Sequence, residues 1–181
     1  GQGRPSGLGP ISNVRANSPL KPNAAEWTYT RVRFAGRMSG NMNQRSSTFH
    51  DDVDILYGPV AKESDTIDRN RLGEESGWLG CNVLTVTQHP ETPTSPAYAE
   101  LLAEGNARLE GQTYNGRADS ISYDGSKGLF VLRAEGNGTA TIWRQKQLGS
   151  SYSQNDAQQM EFIPRSNKLK LNQVTGLNAV E

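Results

Sequence analysis

The run Ala103-Glu104-Gly105-Asn106-Ala107-Arg108-Leu109-Glu110-Gly111 leads into Ala118-Asp119-Ser120-Ile121-Ser122-Tyr123-Asp124. Gly128-Leu129-Phe130-Val131-Leu132-Arg133 and Ala140-Thr141-Ile142-Trp143-Arg144-Gln145 follow. After a polar break the pattern resumes as Ala157-Gln158-Gln159-Met160-Glu161-Phe162-Ile163-Pro164 and Lys168-Leu169-Lys170-Leu171-Asn172. Apolar and polar residues largely alternate within each run, and Gly, Asn, Asp, Ser and Pro separate the runs. A period of two sends successive side chains to opposite faces of a sheet, so each run reads as a strand buried on one side. The Asp124-Gly125 step marks a tight hairpin, because glycine tolerates the backbone such turns require. The pattern is that of an all-β meander.

Upstream, Trp27 to Met42, Phe49 to Gly58, Ser64 to Leu72 and Trp78 to Gln88 carry further strand signals. Val53, Ile55 and Tyr57 share one face of the second of these, and the third is a short polar strand centred on Ile67. Ala97 to Glu104 leaves helix and strand open, since Ala, Glu and Leu are good helix formers. Taken together, the runs suggest about three degenerate copies of a three-strand unit that bury their faces by stacking. The polar strand in each copy is centred on Ile67, Ile121 or Met160.

The chain has 181 residues, room for one domain with a core. Residues 1–25 are rich in Gly, Pro, Ser and Asn and read as a flexible leader or linker; residues 26–181 read as the domain. Only 34% of residues are hydrophobic, which suits an elongated β structure. Nineteen basic residues balance nineteen acidic ones, so no general attraction to nucleic acid is expected. No apolar run approaches the roughly 18 residues of a membrane span. Cys81 is the only cysteine, which leaves no intramolecular disulfide and no cysteine-based metal site.

Catalytic patterns are absent. His50-Asp51-Asp52 does not converge on one side of a strand without a bulge, and Glu135-Gly136-Asn137-Gly138-Thr139 lacks the following helix that a phosphate cradle needs. No nucleophile elbow is present. The expectation is a non-enzymatic protein with no cofactor and no metal. Arg31, Arg33, Arg37 and Arg45 form a local basic stretch near the first strands and Arg69 and Arg71 another, whose arginine forks suit a solvated face or a ligand's phosphate or carboxylate. In Leu129-Phe130-Val131-Leu132 both faces are apolar, so the strand is covered on both sides. A plain sandwich core and a trough for an acyl chain both fit that pattern.

The runs Ala103–Glu110, Ala118–Asp124, Lys127–Gly136 and Ala140–Gln145 together resemble the OstA-like family, the periplasmic lipopolysaccharide-transport proteins of the LptA type. The resemblance spans about Phe49 to Gly176. It implies an open antiparallel β-jellyroll in which two sheets form a V-shaped groove shielding acyl chains. It also implies a periplasmic, cell-envelope location and lipopolysaccharide or a related lipid as ligand. Homologous jellyrolls, or a second copy, would add through the edge strands. The groove set expected on this basis is Val53, Ile55, Ile67, Ile121, Leu129, Val131, Ile142, Met160, Phe162, Leu169 and Leu171. The alternative is a structural or carbohydrate-binding β-sandwich module of a larger envelope protein. Limited proteolysis is expected to remove the leader before about Ala25 while the segment around Leu129 stays protected. Equal protection of both would make the leader part of the fold.

Overall fold

The computed structural model describes residues 27–178, and the Gly/Pro-rich leader lies outside them. The described residues form an all-β jellyroll. Its strands are β1 (Trp27–Arg33), β2 (Met38–Asn41), β3 (Ser46–Val60), β4 (Gly77–His89), β5 (Tyr98–Gly111), β6 (Tyr114–Asp124), β7 (Leu129–Arg133), β8 (Ala140–Gln145), β9 (Tyr152–Ile163) and β10 (Lys168–Asn178). They hydrogen-bond in the order β1-β3-β4-β5-β6-β7-β9-β10, with β2 on β3 and β8 bridging β6 and β9. All pairings are antiparallel, and β1 and β10 are the end strands of that order. Ala97 to Glu104, open in sequence, falls largely in the fourteen-residue strand β5.

A line of irregularities crosses the sheet. The pairing register slips between His50 and Val53 in β3, Gly80 and Val83 in β4, and Glu104 and Ala107 in β5. On the same line β6 exchanges β7 for β8 as its partner, and β10 slips between Val174 and Gly176. Asp51, Asp52, Gly105 and Asn106 have φ of 67°, 48°, 74° and 51°. These are bulge conformations that Gly, Asn and Asp tolerate best, and a bulge bends its strand. The aligned bulges make a crease that folds the sheet into two leaves. Leaf A holds 46–50, 83–89, 98–104, 120–124, β7, 159–163 and the start of β10. Leaf B holds β1, 53–60, 77–80, 107–111, 114–117, β8, 152–157 and the end of β10.

The inner faces of the leaves meet. Tyr114 of leaf B lies edge-on to Phe162 of leaf A, with ring centroids 5.0 Å apart. A Cβ on Gly116 of leaf B would come within 2.9 Å of the Leu132 Cδ2 methyl of leaf A, so a larger residue there would displace Leu132. Two inner ladders carry the core. In leaf A it runs Phe49-Leu84-Ala103-Ile121-Leu132-Met160-Leu171, and in leaf B Val32-Ile55-Leu79-Leu109-Gly116-Ile142. Leu84, Leu109, Ile121, Leu132, Ile142 and Met160 are fully buried.

Two expectations are corrected. Leu129 and Val131 face outward, and the alternate residues Phe130 and Leu132 face in. Val131 stands in an outer row with Thr48, Thr85, Leu102 and Ser122. Both parities of β7 are apolar, so alternation could not choose between them; the partners on β6 do. Ile67 lies in no strand. The segment 64–72 is a loop with a short 3-10 turn at Arg69–Arg71, capped by the Asp68 side chain accepting from the Asn70 N–H. Ile67 reaches the outer side of leaf B over Gly58, whose added Cβ would meet Ile67 Cδ1 at 2.7 Å. The first three-strand copy therefore has two strands, while β5-β6-β7 and β8-β9-β10 have three each.

The opposite facings of β7 give a matched test. Leu132→Ala is expected to cost about 2–5 kcal/mol, and Leu129→Ala about 1 kcal/mol or less. Urea unfolding midpoints measure both; equal losses would put the β7 register one residue off.

Candidate functional site

Of the expected groove residues, Val53, Ile55, Ile121, Ile142, Met160 and Phe162 lie buried in one interior cluster, with Leu169 and Leu171 packed against it. Leu129, Val131 and Ile67 do not join that interior. Leu79, Leu84, Leu109, Tyr114, Phe130 and Leu132 complete it and were not anticipated. Their signal was present in the same alternating runs, but each strand changes inward parity or spacing at its bulge.

Opposite the crease the leaves end in turns, and this margin is the mouth of the fold. A cavity of about 810 Å³ opens there, lined by Tyr57, Tyr114, Tyr123 and Phe130 and rimmed by charges of both signs, Lys127, Lys146 and Arg165 with Glu74 and Glu75. The tyrosines are seated by glycines. Gly77 and Gly111 are direct cross-strand partners in leaf B. Their added Cβ atoms would fall 2.6 Å from the Tyr57 hydroxyl oxygen and against the Tyr114 ring edge at Cζ and Cε1, respectively. The missing side chains are the space in which the two rings lie.

Side chains lace the mouth from leaf to leaf. Arg165 Nη2 donates to Glu75 Oε1 at 2.9 Å. Arg144 Nη1 donates to the Asn167 carbonyl at 2.8 Å and to its Oδ1 at 3.0 Å, while Asn167 Nδ2 donates to the Gln145 carbonyl at 3.0 Å. Asn167 holds φ of 49°, the left-handed conformation that closes the β9–β10 turn. On the rim, Lys127 Nζ donates to Asp124 Oδ2 at 2.6 Å, and this contact with the Ser126 bonds holds the Asp124 carboxyl down at about 2. Among the described residues no strand pairing joins the two leaves at this margin.

Burial raises the titration of the interior polar groups. The Tyr57 hydroxyl is pushed well above its ordinary value by burial, and further by the facing Tyr114 and Tyr123. Burial pushes Tyr114 up to about 12, partly offset by the neighbouring Tyr57 hydroxyl. The buried Cys81 thiol is pushed up to about 11, also by burial. A thiol of that kind is a packing residue at neutral pH, since the thiolate is the reactive form. Among the described residues no group of three His, Cys, Asp or Glu is placed to hold a metal ion. His50 and the bulged Asp51-Asp52 therefore form no such site, and His89 Nε2 lies 3.1 Å from Glu100. No described helix is long and apolar enough to cross a membrane.

Comparison with solved structures finds LptH from Pseudomonas aeruginosa, described as the LptA-homologous periplasmic component of the conserved lipopolysaccharide transport device. The superposition has a TM-score of 0.56 at 12% sequence identity, covering 84% of this chain and 90% of that one. At that identity the likeness establishes a shared fold, the LptA-like jellyroll. No protein-family model matches the chain, and no curated protein matches it by sequence.

The raised values set a pH dependence. In the unfolded chain the thiol loses its proton near pH 9 and the tyrosines near pH 10, whereas folded Cys81 and Tyr114 keep theirs to about 11 and 12. Above pH 9 the unfolded state binds fewer protons than the folded one, so stability falls as pH rises through this window. Thermal unfolding midpoints are expected to drop between pH 9 and pH 12, with a shallower drop in Tyr57→Phe. A flat profile would mean that these groups are solvated. Cys81 is expected to label slowly at pH 8 and fully on unfolding; rapid native labelling would contradict its burial.

Proposed function

We propose that this chain is a non-enzymatic, lipid-binding jellyroll module of the bacterial cell envelope. On this reading it takes an acyl chain of lipopolysaccharide or a related lipid between its leaves and works in the periplasm. One observation carries the reading: among the described residues the leaves share strand pairing only across the crease, while side-chain contacts close the mouth over a chamber floored by Tyr57, Tyr114, Tyr123 and Phe130. A hinge of this build can part at one margin without breaking a strand ladder. Tyrosine and phenylalanine line the chamber, and Lys146 stands on its rim beside the Arg165–Glu75 and Lys127–Asp124 pairs, which suits an amphiphile with an apolar tail and a polar head. The shared fold with LptH, a component of a lipopolysaccharide transport device, supports the same reading. Burying an acyl chain yields about 0.8 kcal/mol per methylene, so part of one chain gives useful affinity.

A second reading is favoured by the complete burial of Leu84, Leu109, Ile121, Ile142 and Met160. A core already filled by its own side chains is that of a closed structural or carbohydrate-binding sandwich. The two readings differ in one measurement, the capture of an apolar fluorescent probe and its displacement by lipid A. Capture is expected for the wild type. Arg165→Ala should speed it with little change in stability, since an exposed ion pair contributes about 0–1 kcal/mol. A wild type that captures neither probe nor lipid leaves the closed sandwich.

The end strands β1 and β10 extend the proposal to assembly. An unpaired edge is a template for another strand, and joining β10 of one copy to β1 of the next is a head-to-tail contact that grows without closing. Lys168 and Lys170 on β10 discourage such pairing, so weak association or a homologous jellyroll partner is expected. Light scattering over a wide concentration range should show gradual, open-ended growth. A tight closed dimer, or a strict monomer that also ignores LptH, would exclude edge joining.

A further inference from the structure

The outer face of leaf B carries a feature that interior lipid binding does not use. Arg108 of β5 and Arg117 of β6 are direct cross-strand partners on this face. Like charges set directly opposite one another destabilise a sheet. Neither forms an ion pair among the described residues. Both line a cavity of about 640 Å³ between the Arg69–Arg71 turn and the β8–β9 loop, and Arg71 lines it too. Arg69 is already engaged. Its guanidinium carbon lies 3.5 Å from the centre of the Trp78 ring, and it binds both Glu110 oxygens at 2.9 and 3.3 Å. Glu110 is the one carboxylate in the lining, so its charge is spent on Arg69. Three arginines thus line one cleft with no ion pair among the described residues, Arg71 also bordering a second cleft with Asp65 and Asp68.

The rest of the lining has a different chemistry. Trp143 lies beside Arg117, whose guanidinium carbon is 5.3 Å from the ring centre. Its indole orientation is fixed by Nε1 donating to Gln154 Oε1 at 3.1 Å. Tyr152, 48% exposed, adds a second aromatic surface on the same side. Asn70 and Asn115 bring amide donors and acceptors to the opposite side and the floor. Arginine forks match phosphate oxygens in a bidentate way, a rigid ring offers a flat apolar face, and amides pair with hydroxyls.

We infer that this cleft binds a phosphorylated saccharide. Its phosphate lies between Arg108, Arg117 and Arg71, its ring against Trp143, and its hydroxyls on Asn70 and Asn115. The phosphosugar is either free or the headgroup of a lipid, and the two share this recognition chemistry.

Calorimetric titration of the full chain tests it with glucose 6-phosphate, glucose, inorganic phosphate and octyl glucoside 6-phosphate. Glucose 6-phosphate is expected to bind, more weakly as salt rises, and glucose not to bind. Arg108→Gln and Arg117→Gln should each weaken binding by about tenfold or more, the loss of one charge-assisted contact. Trp143→Ala should weaken the sugar phosphate and leave inorganic phosphate unchanged. Arg133→Gln, on leaf A, should change nothing, and unchanged circular dichroism would show that the variants fold. Tighter binding of the octyl form, still lost in Arg117→Gln, assigns a lipid headgroup; equal binding of the two forms assigns a soluble ligand. The site is overturned if neither phosphosugar binds, or if binding ignores Arg108 and Arg117. The saccharide assignment is overturned if inorganic phosphate binds as tightly as the sugar phosphate.

Discussion

Every interior contact depends on the crease. A flat sheet of these strands would leave one apolar face in water, and only bending it back on itself removes that face. The bend needs extra residues at the same level in neighbouring strands, and it needs residues that accept positive φ. Asp51-Asp52 and Gly105-Asn106 meet both needs. A non-glycine residue in that conformation costs roughly 1–2 kcal/mol, least for Asn and Asp. Burying a large apolar side chain returns about 1.5–3 kcal/mol, so the packing across the fold outweighs the strain many times over.

The same device limits what alternation in a sequence can tell. Within one leaf a period of two assigns faces correctly: Val53 and Ile55 point in, as do Met160 and Phe162. Across the crease the count holds in β3 and β5, where two residues are inserted and Phe49 to Val53 and Ala103 to Ala107 are even steps, but it resets in other strands. Inward residues step from Cys81 to Leu84 in β4 and from Ala157 to Met160 in β9, odd intervals that reverse the parity. Gly105-Asn106 stood in the run from which the strands were read, and it is the bulge itself. In β7 both faces are apolar, and only the pairing of Phe130 with Tyr123 and of Leu132 with Ile121 settles which side is inner. Ile67 failed for another reason. A lone isoleucine among polar residues fits a strand edge and a loop that caps a sheet equally well, and Gly58 supplies the recess that selects the loop.

The mouth was the least legible part, because its residues are far apart in sequence. Arg165 and Glu75 are 90 positions apart. Gly77 and Gly111 look like ordinary turn glycines until the tyrosines are seen lying over them. The outer arginine cleft is similar: Arg69 and Arg71 stood out as a basic pair, but Arg108 and Arg117 become neighbours only through the β5–β6 register. Pairings of this kind are set by strand order, which no local pattern encodes.

Magnitudes decide how the interior can admit a ligand. The ion pair at the mouth contributes about 1 kcal/mol at most, and a hydrogen bond such as those of Asn167 about 1 kcal/mol each. These contacts are easily parted. Behind them, exposing Tyr114, Phe130, Leu132 and Phe162 costs about 1.5–3 kcal/mol apiece, or about 6–12 kcal/mol together. That matches the whole stability of an ordinary domain, about 5–15 kcal/mol, so the leaves do not open first and fill later. About a dozen methylenes at about 0.8 kcal/mol each return about 10 kcal/mol, which balances the cost only if each group of the chain replaces protein contacts as it enters. On the proposed reading, a lipid would therefore enter stepwise from the tyrosine chamber inward, with the crease fixed and the mouth yielding.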